Sequence, residues 1–291
     1  MPRRSSRTIW LAKVSFIDRR PSQLALMHER FPEALERALD ADRQESYYGR
    51  EWRLSEPAWD ERDGVVYAQL GFRRRTRHAE IDYDDEKHVW ISSESPARQG
   101  NFAHFVIDLN SQLLAFEDRG TDLKRDSFLH VLKQFLAKAG LEANLLSDAR
   151  EFEAWLSEVD RVTRFRVTLR QPNPGYSKRA RQVRELAGEV EAERLTIEAE
   201  SSAGLNVRDT LLDGAADTAS LGNGSYRATG FVGDKRRFFD SAKRFVSGVI
   251  EVVQGDSAQT IGSKIRDLMN EIAPEVPRHR PDEDAHPDGD V

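Results

Sequence analysis

The chain has 291 residues, a formal charge of −6 from 44 Lys and Arg against 50 Asp and Glu, and no cysteine. That length suits one large or two moderate domains, and the missing cysteine excludes disulfide frameworks, Cys-ligated zinc, Fe–S clusters and thiol catalysis, which fits a reducing, cytoplasmic setting. No apolar run approaches the ~20 residues of a membrane span, and IWLAKVSFI, interrupted by Lys13 and without a small-residue cleavage site, does not read as a signal peptide.

Residues 1–7 (MPRRSSR) read as a disordered basic arm, and Thr8–Asp18 as a strand with Trp10, Ala12, Val14 and Phe16 on one face. Leu24, Met27, Phe31 and Leu35 follow helical spacing, with Pro32 marking a break or a second helix start. Residues 43–62 lack clear periodicity and read as loop. Gly64–Arg75 reads as strand, and Glu80–Ser92 as its sheet's continuation. Phe102–Leu109 and Gln112–Glu117 suggest a hairpin turning at Asn110-Ser111. The clearest helix follows, with Phe128, Val131, Leu132, Phe135, Leu136 and Ala139 on one stripe and Gly140 as its stop.

A short strand, Ala143–Leu146, precedes a helix opened by Asp148 with Glu151 three residues on, its stripe being Phe152, Trp155, Leu156 and Val159. Arg161–Arg184 is the most distinctive stretch, with eight Arg or Lys residues and no acid. Its first part alternates: Phe165, Val167 and Leu169 share one parity, and Arg164, Arg166, Thr168 and Arg170 the other, predicting a strand with an arginine face. After Pro172-Asn173-Pro174-Gly175, a helix with Val183, Leu186, Ala187 and Val190 on its stripe leaves Lys178, Arg181 and Arg184 outside it. Arg194–Ser202 is a strand, Asn206–Leu212 a short helix, Gly222–Gly224 a turn, and Ser225–Val232 and Phe245–Val253 further strands. The last helix uses Ile261, Ile265, Leu268, Met269 and Ile272 and is a candidate dimer interface. Hairpins mixed with helices predict an α+β fold on largely antiparallel sheets. The expected division is residues 1–160, residues 161–272, and an acidic tail at 273–291 with six acids and two arginines.

The net acidity does not rule out a polyanionic partner, because local fields decide what a surface attracts. The primary phosphate-binding set is Arg164, Arg166, Arg170, Lys178, Arg181 and Arg184, since guanidinium groups bind phosphate through paired donors. Arg73 and Arg75 end a strand and form a second set, although Asp82, Asp84, Asp85 and Glu86 follow and could neutralise it. Lys235, Arg236 and Arg237 precede Phe238 and Phe239; aromatics beside arginines can stack on unpaired bases, but at least one of this pair belongs to the core. Asp108, Glu117 and Arg119 loosely follow the carboxylate order of Mg²⁺-dependent nucleases. No zinc, dinucleotide, Walker or nucleophile-elbow spacing occurs, so no catalytic residue, metal or cofactor is expected.

The succession IDLNSQLLAFE, SFLHVLKQFL, ANLLS, REFEAWLSEVDR and RFRVTLRQP, followed by RARQVRELAGEV, RLTIEAES and GLNVRDTLLDG, resembles RexA-like phage-exclusion proteins over roughly residues 100–230. The resemblance is one of pattern and order. It implies a prophage-encoded cytoplasmic homodimer that binds DNA without sequence preference in superinfection exclusion, beside a membrane partner encoded nearby. It transfers no catalytic motif. The acidic tail has no counterpart in it and could shield the basic surface. The expected function is therefore non-specific DNA binding, with a Mg²⁺-dependent nuclease or toxin, and a module docking an acidic protein, as alternatives.

Overall fold

A computed structural model describes residues 4–17, 30–40, 43–73, 81–92, 100–120, 122–170, 182–183, 185–186, 189, 192 and 194–273. In chain order its elements are β1 (Arg4–Phe16), α1 (Phe31–Ala38), β2 (Gln44–Tyr47), β3 (Arg50–Leu54), β4 (Ala58–Asp60) and β5 (Val65–Arg73). Then come β6 (Ile81–Asp84), β7 (Val89–Ser92), β8 (Gly100–Asp108), β9 (Leu113–Asp118), α2 (Arg125–Ala137), β10 (Leu141–Leu145) and α3 (Ala149–Glu158). The remainder is β11 (Arg161–Arg170), β12 (Arg194–Leu205), α4 (Leu211–Thr218), β13 (Gly224–Val232), β14 (Lys235–Asp240), β15 (Ser247–Val253) and α5 (Ala258–Ile272). The class is α+β, and every ladder between these strands is antiparallel. No helix among the described residues is long and apolar enough to cross a membrane.

The first sheet runs β10-β1-β9-β8-β5-β3-β2, with β15 also on β1 and β4 also on β5. It is buried on both faces. Ala12 and Val14 of β1 meet α1 and α2 through Leu35, Phe128, Leu132 and Phe135. Ile9 and Leu11 point the other way, toward Ile261, Ile265 and Met269 of α5. The apolar stripe of α5, a candidate dimer interface from its sequence, is therefore occupied within the chain. The expected basic arm is also partly ordered, because Arg4–Arg7 pair with Ile250–Val253.

Residues 43–62 are not a loop. They form β2, β3 and β4, whose short, half-buried faces hide the alternation: only Trp52 and Leu54 of β2 and β3 reach the core. The β2–β3 turn places Tyr48 and Gly49 at φ 50° and 67°, a twist that matches a two-residue hairpin. Residues 81–92 do not continue the large sheet; β6 and β7 make a separate hairpin, tied down by Tyr83 Oη donating to the Leu54 carbonyl at 2.8 Å. The helix expected at Asn206–Leu212 begins later, because Thr210 caps α4 by accepting from Leu212 N at 3.2 Å.

The second sheet, β12-β11-β13-β14, packs one face on α3 and α4 around Phe152, Phe165, Val167, Tyr226 and Phe239. Residues 161–272, expected to form one domain, divide between the sheets: β15 and α5 return to the first, and β11 to β14 with α4 build the second together with α3. Residues 18–29 and 274–291, which hold Leu24, Met27 and the acidic tail, lie outside the described residues.

Candidate nucleic-acid interface

The predicted alternation of β11 holds. Val162, Phe165, Val167 and Leu169 are buried while Arg161, Arg164, Arg166 and Arg170 are exposed, and a bulge between Val162 and Arg164 lets Arg161 and Arg164 share the outer face. Flanking strands extend that face in register. One row reads Glu198, Arg166, Arg227, Asp240, and the next Glu200, Arg164, Thr229, Phe238. Farther along, Arg170 stands opposite Arg194, and at the other end Arg161 stands opposite Phe231, which faces Arg236. Seven arginines therefore share one sheet face with three acids.

Two of these cross-strand pairs, Arg166–Arg227 and Arg170–Arg194, set like charges directly opposite each other, an arrangement that is destabilising in a sheet. Compensation is partial. Arg227 meets Asp240 at 3.3 Å, and Arg170 reaches across to Glu142 of β10 at 3.0 Å. Arg164 donates twice to Glu198, through Nε at 2.7 Å and through Nη2. That hydrogen bond holds the Glu198 carboxyl below its ordinary value, so it stays charged and competes with any anion for Arg164. Arg166 and Arg194 make no ion pair with a described residue.

A cleft of about 600 Å³ opens where this face meets the first sheet. Its basic lining is Lys133, Arg166, Arg170, Arg194 and Arg227, with Thr168, Ser225 and Asn144 between them and no acid among the described residues. Lys133 comes from α2 and donates to Asn144 Oδ1 at 3.1 Å. Burial lowers its pKa; Glu142 opposes the shift and Arg170 adds to it. Gly224 forms part of the cleft, and its lack of a side chain is a fit requirement: a Cβ there would lie 2.1 Å from the Thr168 carbonyl oxygen. Gly224→Ala should pry β13 from β11 and cost about 1–3 kcal/mol, measurable by urea denaturation; a cost under a few tenths would show that the strands shift freely.

The expected residues separate into four groups. Arg164, Arg166, Arg170 and Arg236 converge on the arginine face. Lys235 and Arg237 share the parity of buried Phe239, so they lie on the opposite side of β14. Arg73 ends β5, an inner strand of the first sheet rather than a charged edge, and lies within 3.6 Å of Glu51 and 3.8 Å of Asp85, the latter one of the acids that follow it in sequence. Arg75, Lys178, Arg181 and Arg184 lie outside the described residues. Arg194 and Arg227 were not singled out, although each alternates with apolar neighbours; Lys133 gave no signal, because only the tertiary fold brings α2 to β11.

The carboxylates considered for Mg²⁺ do not meet. Asp108 accepts from Ser111 N and Oγ at 2.6 and 2.7 Å, closing the β8–β9 turn. Glu117 lies opposite His104, four residues from Asp108 along β8, about 13 Å away. Among the described residues no cluster of three metal-ligating side chains forms.

A family model described as Domain of unknown function (DUF4747) matches residues 28–251, spanning both sheets. No curated protein matches the chain.

Proposed function

We propose a function from the site itself, since the chain belongs to the DUF4747 family, whose description assigns no activity: it binds nucleic acid through phosphates, without reading sequence. The observation that carries this is the two like-charged cross-strand pairs, Arg166 opposite Arg227 and Arg170 opposite Arg194, on a cleft whose described lining holds five basic residues and no acid. A fold tolerates such pairs at a cost that an anion placed between them removes. Guanidinium forks suit phosphate oxygens, and phosphate contacts carry no sequence information. The resemblance to RexA-like proteins supports the same mode and adds a setting: a cytoplasmic homodimer acting on DNA in phage exclusion, with a membrane protein as partner. In this reading the protein acts by binding, through neutralised phosphates and released counterions.

The test is a gel-shift titration of wild type and Arg166→Ala/Arg227→Ala on unrelated nucleic-acid sequences across a salt series. Affinity should fall steeply with salt and similarly for every sequence, and the double variant should bind more weakly with a log–log salt slope smaller by about one per arginine. Both side chains are exposed, and removing one relieves a repulsion, so thermal stability should be unchanged or slightly raised. No shift at low salt would overturn the reading and turn the arginine face toward an acidic protein partner.

A further inference from the structure

We infer that the arginine face takes single-stranded rather than duplex nucleic acid, with one unpaired base stacked on Phe238; this rests on the nucleic-acid reading above and specifies its ligand. The argument starts from the two adjacent phenylalanines. Phe239 is buried, with its ring 4.9 Å from Phe152 and 5.6 Å from Tyr226. Phe238 points the other way and is 66% exposed. An apolar ring left in water on a sheet face is unremarkable alone, but this one has charged surroundings. The Arg236 guanidinium lies over it at 4.6 Å from the centroid. Its row continues through Thr229 to Arg164, and the next row holds Arg227 and Arg166.

An aromatic ring set among arginines offers a π-face for a base and donors for the phosphates on either side. Rows two residues apart lie about 7 Å from each other, so base and phosphate contacts fall within neighbouring rows of one flat surface. A second ring, Phe231, stays half-buried beneath Arg161, with 5.2 Å from guanidinium to centroid, and extends the same pattern along β13. The cleft supports the same choice. Its volume, about 600 Å³, is that of a site for a drug-sized molecule. A single strand can feed phosphates into it between Lys133 and Arg166, whereas a stiff duplex with its bases stacked inside cannot enter, nor present a base to Phe238.

Fluorescence anisotropy tests this with labelled oligo(dT), oligo(U) and a duplex of equal length, at one salt concentration. Wild type should bind the single strands at least tenfold more tightly than the duplex. Phe238→Ala should lose about tenfold on single strands, with an unchanged salt slope because no phosphate contact is removed, and with unchanged duplex affinity. Phe238→Trp should restore single-strand binding. A difference between oligo(dT) and oligo(U) would identify whether the sugar hydroxyl is read. Equal affinity for single strand and duplex, or Phe238→Ala behaving as wild type, overturns the strand preference while leaving phosphate binding standing. A drop in sedimenting mass of Phe238→Ala without loss of single-strand affinity also overturns it, assigning the ring to self-association. Absence of binding to all three probes overturns both readings.

Discussion

Glu117→Ala should destabilise the protein by about 3–5 kcal/mol, the usual cost of removing one partner from a buried ion pair. The Glu117 side chain is fully buried and collects most of the polar groups around it. It accepts from His104 N at 3.0 Å, pairs with His104 Nδ1 at 3.1 Å and with the guanidinium of Arg7, and has Arg119 within 3.9 Å. Truncation would leave two guanidinium groups, each no more than about a quarter exposed, facing an empty space. Burial alone would raise the carboxyl's pKa, but the hydrogen bond and charge of His104, the charge of Arg7 and the His104 backbone N–H outweigh it and hold it at about 2. The sign follows from linkage. A depressed carboxyl contributes its full stability above its unfolded value, near 4.5, and loses it as pH falls toward 2. Urea denaturation from pH 7 to pH 2 should show wild type losing stability across that window and Glu117→Gln losing much less. A loss below about 1 kcal/mol in Glu117→Ala at pH 7 would show that water replaces the carboxylate.

Phe152→Ala should cost a similar amount, about 3–5 kcal/mol, but in the second sheet. This ring of α3 joins Tyr226 and Phe239, both at 4.9 Å, with Trp155 at 5.9 Å and Phe165 at 6.0 Å. It is the point through which three strands and a helix share one cluster, so the cavity it leaves cannot close by moving one neighbour. Thermal denaturation should register the loss, and Phe152→Leu should recover more than half of it. Because the same strands carry the arginines on their other face, the proposed nucleic-acid binding should be lost in Phe152→Ala near the new midpoint and be normal well below it. A small loss, under 1 kcal/mol, would mean that the aromatic cluster collapses around the gap.

The contrast between these sites and the arginine face explains what was legible in the sequence. β11 was readable because its two faces differ so strongly: apolar against arginine, residue by residue, with only the bulge at Thr163 outside the pattern. The helix at 125–137 was readable because six of its side chains face one core. The strands between 44 and 60 were not, since their faces are half-buried and their pairing depends on β5, which lies farther along the chain. The expected cationic set mixed parities: Lys235 and Arg237 alternate with Arg236, so they cannot share its face once β14 pairs with β13. Arg227 carries no such signal for the converse reason. It is a lone base in its stretch, and only the pairing of β13 with β11 sets it opposite Arg166.

β1 pairs along one edge with β9 and along the other with two partners, β10 over Ala12–Phe16 and β15 over Arg4–Trp10. Trp10 therefore waits for Ser247, and Arg4 for Val253. At about 5–20 residues per second of synthesis, that half-edge stays open for roughly 10–50 s after its residues are made. During that interval a strand destined for burial on both faces has an unsatisfied backbone and is an aggregation hazard. A ribosomal product stopped between Asp240 and Ser247 would contain the whole arginine face and still lack the strand that closes the first sheet. Synthesis of β15, rather than completion of either sheet's local hairpins, is thus the step that closes the first sheet.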